Sequence, residues 1–350
     1  MTSRAWFIDH YGGPERLRLR ERNDAAPDPG EVAIRTAAIA LNFADLFARA
    51  GIYPNTPRPP FVPGMEISGV VEAVGRGVTD LSPGQSVAAV PIFGGYAERV
   101  VCRESNVFPI PDAADLVEAA AMPVAFLTAR YAIDQAQVRT GETVVVTAAA
   151  GGVGTALLQL LSLRSAKTVA LVGSERKFAL CRELGADRVG LYAAAGRRDA
   201  LGDDRPDVVI DAIGGATFRS LWRRLARGGR YVLYGFAAAS GKRGVARLRA
   251  LSELSAMGLL VPLAFVSSCR TLIGFNLSLL SNRLEELRRM AAEIFEEWRS
   301  GRIRPAIGAR FPFERLPDAH RALASRKTEG KVVVSVGIGS GLHLPHGKEI

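Results

Sequence analysis

The sequence predicts an α/β fold: a doubly wound parallel sheet joined to a second, mostly β domain that the chain enters twice. Three observations predict it. Strand and helix patterns alternate from about Pro123 to Phe275, a glycine turn splits an uncharged run at Thr143–Leu163, and the first third of the 350 residues reads as short strands between turns. Repeated βαβ units imply parallel strands covered on both faces.

In chain order, Glu31–Ala38 alternates, Gly69–Val74 is β-branched, and Gln85–Pro91 and Tyr96–Cys102 are short apolar strands bounded by turn residues. Phe43–Ala50 has a helical pattern, and Pro54, Pro57, Pro59, Pro60 and Pro63 stiffen the loop that leads to Gly64. Strands are then expected at Thr143–Ala148, Thr168–Val172, Arg188–Leu191, Val208–Ala212, Tyr231–Tyr234 and Thr271–Phe275, with helices at Val153–Leu163, Glu175–Leu184 and Ala216–Ala226. After Ser281, Leu284, Leu287, Ala291, Ile294, Phe295 and Trp298 fall on one side of a long helix, and a last strand follows at Lys331–Val336. These pieces leave the alternation, so the expected division is residues 1–123 and 279–337 for the β-rich domain, 124–278 for the nucleotide-type domain, and a loose glycine-rich tail at 338–350.

Composition narrows the function classes. An apolar fraction of 48% builds real cores, and 23% charged residues is too low for a disordered chain. Cys102, Cys181 and Cys269 form no Cys-x-x-Cys pair, which argues against structural zinc and for a reducing, cytoplasmic setting. The formal charge of +10 attracts anionic cofactors or acidic carrier proteins. Arg288 and Arg289 alternate with Glu285, Glu286, Glu293 and Glu296 as on a solvated helix face, so no nucleic-acid partner is expected. The first residues, MTSRAWFIDHYGG, lack an apolar core of signal-peptide length. Thr143–Leu163 is long enough to cross a bilayer, but Gly151, Gly152 and Gly154 break it.

The segment TVVVTAAAGGVGTALLQ at residues 143–159 is a strand, a glycine turn and a helix, the context in which a glycine motif binds a dinucleotide. Gly152 lets the backbone approach a pyrophosphate, Gly154 lets the helix pack on its strand, and the N–H groups of the helix start attract the anion. Ala149 replaces the first glycine of the fingerprint. Where an NAD-preferring site carries a carboxylate after the next strand, this chain has Gly173, Ser174, Glu175, Arg176 and Lys177. A hydroxyl and two cations suit a 2′-phosphate, each charge-assisted contact contributing about 1.5–3 kcal/mol. The alternative is that Ser174 only caps a helix and Lys177 is solvated. No Tyr-x-x-x-Lys pair, Gly-x-Ser-x-Gly elbow or His-Glu-x-x-His occurs.

The motifs NFAD at 42–45, GIYP at 51–54, PGMEISGVVEAVG at 63–75 and AAAGGVG at 148–154, in that order, resemble the quinone-oxidoreductase branch of the medium-chain dehydrogenase/reductase superfamily. The resemblance continues through DAIGG at 211–215, YG at 234–235, GFNL at 274–277, IRP at 303–305 and GKVV at 330–333, and is greatest to synaptic-vesicle-membrane-type and zeta-crystallin-like reductases. It implies a Rossmann domain, a split GroES-like substrate domain, and an active site in the cleft between them. By the same resemblance Asn42, Asp45 and Tyr53 would lie beside nicotinamide and substrate. The family's cofactor contacts fall at Thr128, Gly151, Gly152, Val153, Gly154, Ser174, Lys177, Tyr192, Gly214, Gly235, Phe275 and Lys331. Asn42 and Asp45 also read as a helix N-cap with an acid in the first turn, and Tyr53 as packing.

Zinc alcohol dehydrogenases of the superfamily carry ligands that are missing here: Asn42 stands near the expected cysteine and Met65-Glu66 in the His-Glu region. Without a metal, a conjugated acceptor is the easier substrate, because hydride addition puts charge on an enolate or phenolate-like oxygen that hydrogen-bond donors stabilise. The expectation is therefore a homodimeric, NADPH-dependent, zinc-independent reductase of quinones or of the C=C bond of α,β-unsaturated carbonyl compounds. One alternative is reduction of a carrier-bound enoyl thioester. Another is an NADPH-binding, membrane-associated protein with little catalysis, for which Arg243, Arg247 and Arg249 precede an apolar stretch at Leu254–Cys269.

Overall fold

The structure is a computed structural model that describes residues 2–111, 114–239, 251–259 and 261–337. Two sheets dominate it, and the α/β class is the expected one. The first has six parallel strands: Thr143–Thr147 (β8), Lys167–Val172 (β9), Arg188–Leu191 (β10), Val208–Asp211 (β11), Arg230–Leu233 (β12) and Thr271–Gly274 (β13), lying in the order β10-β9-β8-β11-β12-β13. Every neighbouring pair is parallel, and the chain returns to the sheet through helices Gly152–Leu163 (α4), Phe178–Glu183 (α5), Ala194–Leu201 (α6) and Gly215–Arg224 (α7). The helix expected over Glu175–Leu184 begins as a 3-10 turn at Glu175–Lys177 before α5.

The second sheet holds Glu31–Leu41 (β3), Glu66–Val74 (β4), Ser86–Ala89 (β5), Arg99–Arg103 (β6) and Val107–Pro109 (β7), and it also takes Ile307–Pro312 (β14) and Lys331–Ser335 (β15) from the end of the chain. β15 runs antiparallel to β3, pairing Val333 with Ala40, so Lys331 arrives beside the residue that follows β3. A hairpin, Thr2–Ile8 (β1) with Leu17–Asn23 (β2), lies against this sheet through bridges from Ala5 to Ala97 and from Ile8 to Phe61.

Further helices complete the frame. Phe43–Ala50 (α1) follows β3, Leu116–Ala120 (α2) covers β3 and β4, and Pro123–Gln135 (α3) packs on α4 with Ala125, Phe126, Ala129 and Ile133 buried. The helix Leu284–Arg299 also packs on α3, burying Met290, Ala291, Ile294 and Phe295 in the core that contains Val144 and Val146. The tail at 338–350 lies outside the described residues.

Candidate active site

β8 and β11 are neighbours from which the strand order runs outward in opposite directions, so their carboxyl ends open a crevice. Asp211, fully buried at the end of β11, holds that crevice in shape. It accepts from the Thr147 hydroxyl at 2.6 Å, the Tyr231 hydroxyl at 2.8 Å, and the N–H groups of Ile213 and Gly214 at 2.8 and 3.0 Å. The turn leaving β8 takes Ala148 through left-handed backbone, φ +50°, and delivers α4 at Gly152. A Cβ on Gly154 would stand 2.3 Å from the Ala148 carbonyl oxygen, and one on Gly152 would stand 2.6 Å from Lys331 Cδ. Backbone approach therefore requires glycine at 154, whereas a side chain at 152 would have to displace the Lys331 stem.

The start of α4 opens onto a cleft of about 1520 Å³ between the sheets. Its lining includes seven cations, Arg103, Arg176, Lys177, Arg288, Arg326, Lys327 and Lys331, and no Asp or Glu among the described residues. Such a surface raises the local concentration of an anionic ligand. Gly151, Gly152, Val153 and Gly154 line it, as do Ser174, Lys177, Tyr192 and Gly235. The Ser174 side chain makes no capping bond to the turn that follows. Lys177 is tethered rather than free in solvent: Nζ donates to the carbonyls of Arg326 and Thr328, both at 2.9 Å. Burial, then the neighbouring Arg176, pulls its ammonium below the usual lysine range.

Asn42, Tyr53, Thr128, Phe275 and Lys331 line the same cleft. Phe275 stacks on Tyr234 at 6.2 Å and meets Tyr131 edge-on, so it is packed and cleft-lining at once. The Tyr53 hydroxyl donates to Asn276 Oδ1 at 3.0 Å and lies 2.9 Å from Ser278 Oγ, linking the loop after α1 to the loop after β13. Asn42 joins a buried polar cluster. Its Oδ1 accepts from Lys331 Nζ at 2.8 Å and its Nδ2 donates to Glu66 Oε1 at 2.9 Å, while Lys331 and Glu66 form an ion pair. Glu66 Oε2 accepts from the Val124 N–H at 2.8 Å, at the start of α3.

Asp45 and Gly214 do not line the cleft. Asp45 is fully buried behind it, where Oδ2 accepts the Asn42 N–H at 2.7 Å, which is the helix-start role that its spacing also allowed. Burial raises its carboxyl to about 7. Behind it the Tyr96 hydroxyl faces the carboxyl, His320 Nε2 lies 3.0 Å from that hydroxyl, and Arg49 Nη1 lies 3.0 Å from His320 Nδ1. Because arginine only donates, His320 accepts at Nδ1 and donates from Nε2. Gly214, at φ +72°, starts α7 and shapes the Asp211 loop from beneath. The cations of residues 326 and 327, Ser278 and the Arg49–His320–Tyr96 chain carry no sequence motif, since each is brought in from a distant segment.

Residues 28–112 match the alcohol dehydrogenase GroES-like domain and residues 184–334 the zinc-binding dehydrogenase family. The chain is 35% identical over 330 residues to a quinone oxidoreductase of Pseudomonas aeruginosa, covering 93% of this chain and 97% of that one. This chain is a quinone-oxidoreductase-type member of the medium-chain dehydrogenase/reductase superfamily. The same superfamily member is 33% identical over 344 residues to the synaptic vesicle membrane protein VAT-1 homolog of Rattus norvegicus, across 95% and 84% of the two chains. The quinone oxidoreductase from Thermus thermophilus, solved also in complex with NADPH, matches this reductase with a TM-score of 0.78 at 34% identity, over 95% and 99% of the chains. The reductase is thus a medium-chain oxidoreductase with a nicotinamide cofactor.

The apolar stretch of the reductase contributes Leu254 to the cleft rim, while Leu259 and Leu263 are strongly exposed. Arg243, Arg247 and Arg249 lie outside the described residues. No helix among the described residues is long and apolar enough to cross a membrane.

Proposed function

We propose that the protein is an NADPH-dependent, zinc-independent reductase that adds hydride to quinones or to the C=C bond of α,β-unsaturated carbonyl compounds. One observation carries this reading: a single cleft is lined by the glycine turn at Gly151–Gly154, by Ser174 and Lys177, and by Asn42, Tyr53 and Phe275. Its size and acid-free lining fit a dinucleotide with room for an acceptor.

In this reading the N–H groups at the start of α4 hold the pyrophosphate, and Ser174, Lys177 and Arg326 hold the 2′-phosphate. Thr128, Gly235 and Phe275 form the walls toward the nicotinamide end. The bound dinucleotide supplies hydride. Tyr53, bonded to Asn276 and Ser278, fixes one wall of the cleft and excludes water from the acceptor. Zinc independence is supported by the donor set: no three His, Cys, Asp or Glu side chains gather as a metal site among the described residues, and Asn42 and Lys331 already satisfy Glu66. A homodimer is part of the proposal, since β13 is an edge strand and the exposed Leu263 and Val266 precede it.

The test is a screen of quinones, 2-alkenals, cyclic enones and enoyl thioesters, followed by loss of NADPH absorbance. Turnover with quinones or enals supports the proposal, and turnover confined to enoyl thioesters replaces it with the carrier-bound alternative. No binding heat with either pyridine dinucleotide refutes it.

A further inference from the structure

Lys331, Glu66 and Asn42 form a buried charged group that cofactor binding alone does not require. Lys331 is 4% exposed and Glu66 fully buried, yet Lys331 and Asn42 both line the cleft. A buried ion pair adds little net stability over apolar residues of the same volume, because desolvation offsets the Coulomb gain. Proton counting gives the group a direction. An ammonium has three donors, and two are used, on Asn42 Oδ1 and Glu66 Oε1. The Asn42 amide has two donors, and one is used, on Glu66 Oε1. Each of the two cleft-lining side chains therefore retains one N–H with no protein acceptor among the described residues.

The electrostatics favour an anion at that point. Glu66 has its second oxygen on the Val124 N–H at the start of α3, so part of its charge is balanced by a helix terminus rather than by Lys331. The Lys331 stem passes over Gly152, at the start of α4, close enough that a Cβ there would reach Cδ. Two helix starts and one ammonium thus converge with the Glu66 carboxylate, and the buried Asp45, which holds the Asn42 N–H, is the second acid close enough to interact with Lys331.

We propose that Asn42 and Lys331 form a two-donor oxyanion pocket for the acceptor's carbonyl oxygen, with Glu66 as the positioning residue that orients both. The proposal rests on the reductase reading above. Reduction at carbon brings two electrons and one hydrogen, leaving the oxygen as an enolate or quinol anion. Asn42 and Lys331 stabilise that anion through their spare N–H groups, both keep their protons, and the anion takes its own from water. One preorganised donor of this kind changes turnover by about a hundredfold to a thousandfold.

The experiment uses 4-nitrophenol as a phenolate probe, titrated spectroscopically with the cofactor-free protein, beside steady-state kinetics with NADPH and a quinone. The parent is expected to lower the apparent pKa of bound nitrophenol by about one unit, a tenfold preference for the anion. Glu66→Gln alone is expected to keep that shift, because the cation remains and the amide oxygen still accepts from Lys331 and Asn42. The double variant Lys331→Met/Glu66→Gln removes both charges and so avoids an unpaired buried charge. It is expected to fold, lose the nitrophenol shift, and lose about a hundredfold in kcat at saturating NADPH, with KM for the quinone little changed. A parent that leaves the nitrophenol titration where it is in buffer overturns the pocket. So does a double variant that shifts it equally, a Glu66→Gln variant that abolishes it alone, or a double variant that loses NADPH affinity with kcat intact. A nitrophenol shift that depends on Lys331 in a protein inactive on every quinone and enal would keep the pocket and refute the reductase reading. Full activity in the double variant would do the reverse.

Discussion

Asp45→Asn should unmask an opposing titration deeper in the same chain of residues. Burial raises the Asp45 carboxyl from its ordinary 3.8 to about 7, against the opposing pull of the Asn42 N–H at Oδ2, the Lys331 charge and the Tyr96 hydroxyl. The folded protein therefore keeps a proton that the unfolded chain releases between about pH 4 and pH 7. Across that window Asp45 lowers stability as pH rises, by about 4 kcal/mol in all, and the loss levels off above pH 7. His320 does the opposite. Burial, then the Arg49 charge, holds it well below its ordinary 6.5, so its contribution is present above that value and is lost as pH falls, when the unfolded chain takes up a proton that the folded one refuses. Below about pH 6.5 the two slopes oppose each other in the parent protein. The asparagine at position 45 still accepts the Asn42 N–H and has no titration. Its stability relative to the parent should therefore rise by about 4 kcal/mol from pH 4 to pH 8, and its own stability should fall on acidification. Urea unfolding of both proteins across this range measures the difference. A parent-to-variant difference that is flat with pH, or that runs the other way, refutes the assignment of a proton to buried Asp45.

Three further outcomes follow from the site. Lys177→Ala should weaken NADPH by at least about tenfold and NADH by no more than about threefold, as read by calorimetric titration of each, because only the former places a phosphate against the tethered ammonium. Equal losses would assign Lys177 to the loop at Arg326–Thr328 instead. Gly154→Ala should lower the melting temperature sharply, since its Cβ would meet the Ala148 carbonyl at 2.3 Å and backbone atoms of Ala149 at 2.6 Å, contacts that no rotamer can relieve. Gly30→Ala is the comparison: it has open space but φ +77°, and should cost about 1–2 kcal/mol by thermal melts. Tyr53→Phe should raise KM for the acceptor about threefold to tenfold with kcat changed less, because its hydroxyl is spent on Asn276 and Ser278. A hundredfold fall in kcat at unchanged KM would make Tyr53 a proton donor.

What was legible in the sequence and what was not divide along a physical line. The parallel strands were legible because they are short, largely apolar runs between turns, β-branched at Val208–Asp211, and the glycine turn because its residue types answer a local steric demand. α3 was missed since it is apolar nearly all round, with Ala125, Phe126, Leu127, Ala129 and Tyr131 buried, and so presents no stripe to detect. β2 was missed although Leu17 and Leu19 alternate with arginines, because one hairpin leaning on a sheet has little apolar face of its own. The site splits in the same way. Asn42, Gly152 and Lys177 each belong to a contiguous motif, and each lines the cleft. The partners that define what they do are set by strand register: Lys331 reaches Asn42 across 289 residues because β15 pairs with the end of β3, and Glu66 reaches both because β4 pairs with β3 on its other side. A residue type can be read from the chain, but the number of protons it has left to offer a ligand depends on neighbours that only the folded register supplies.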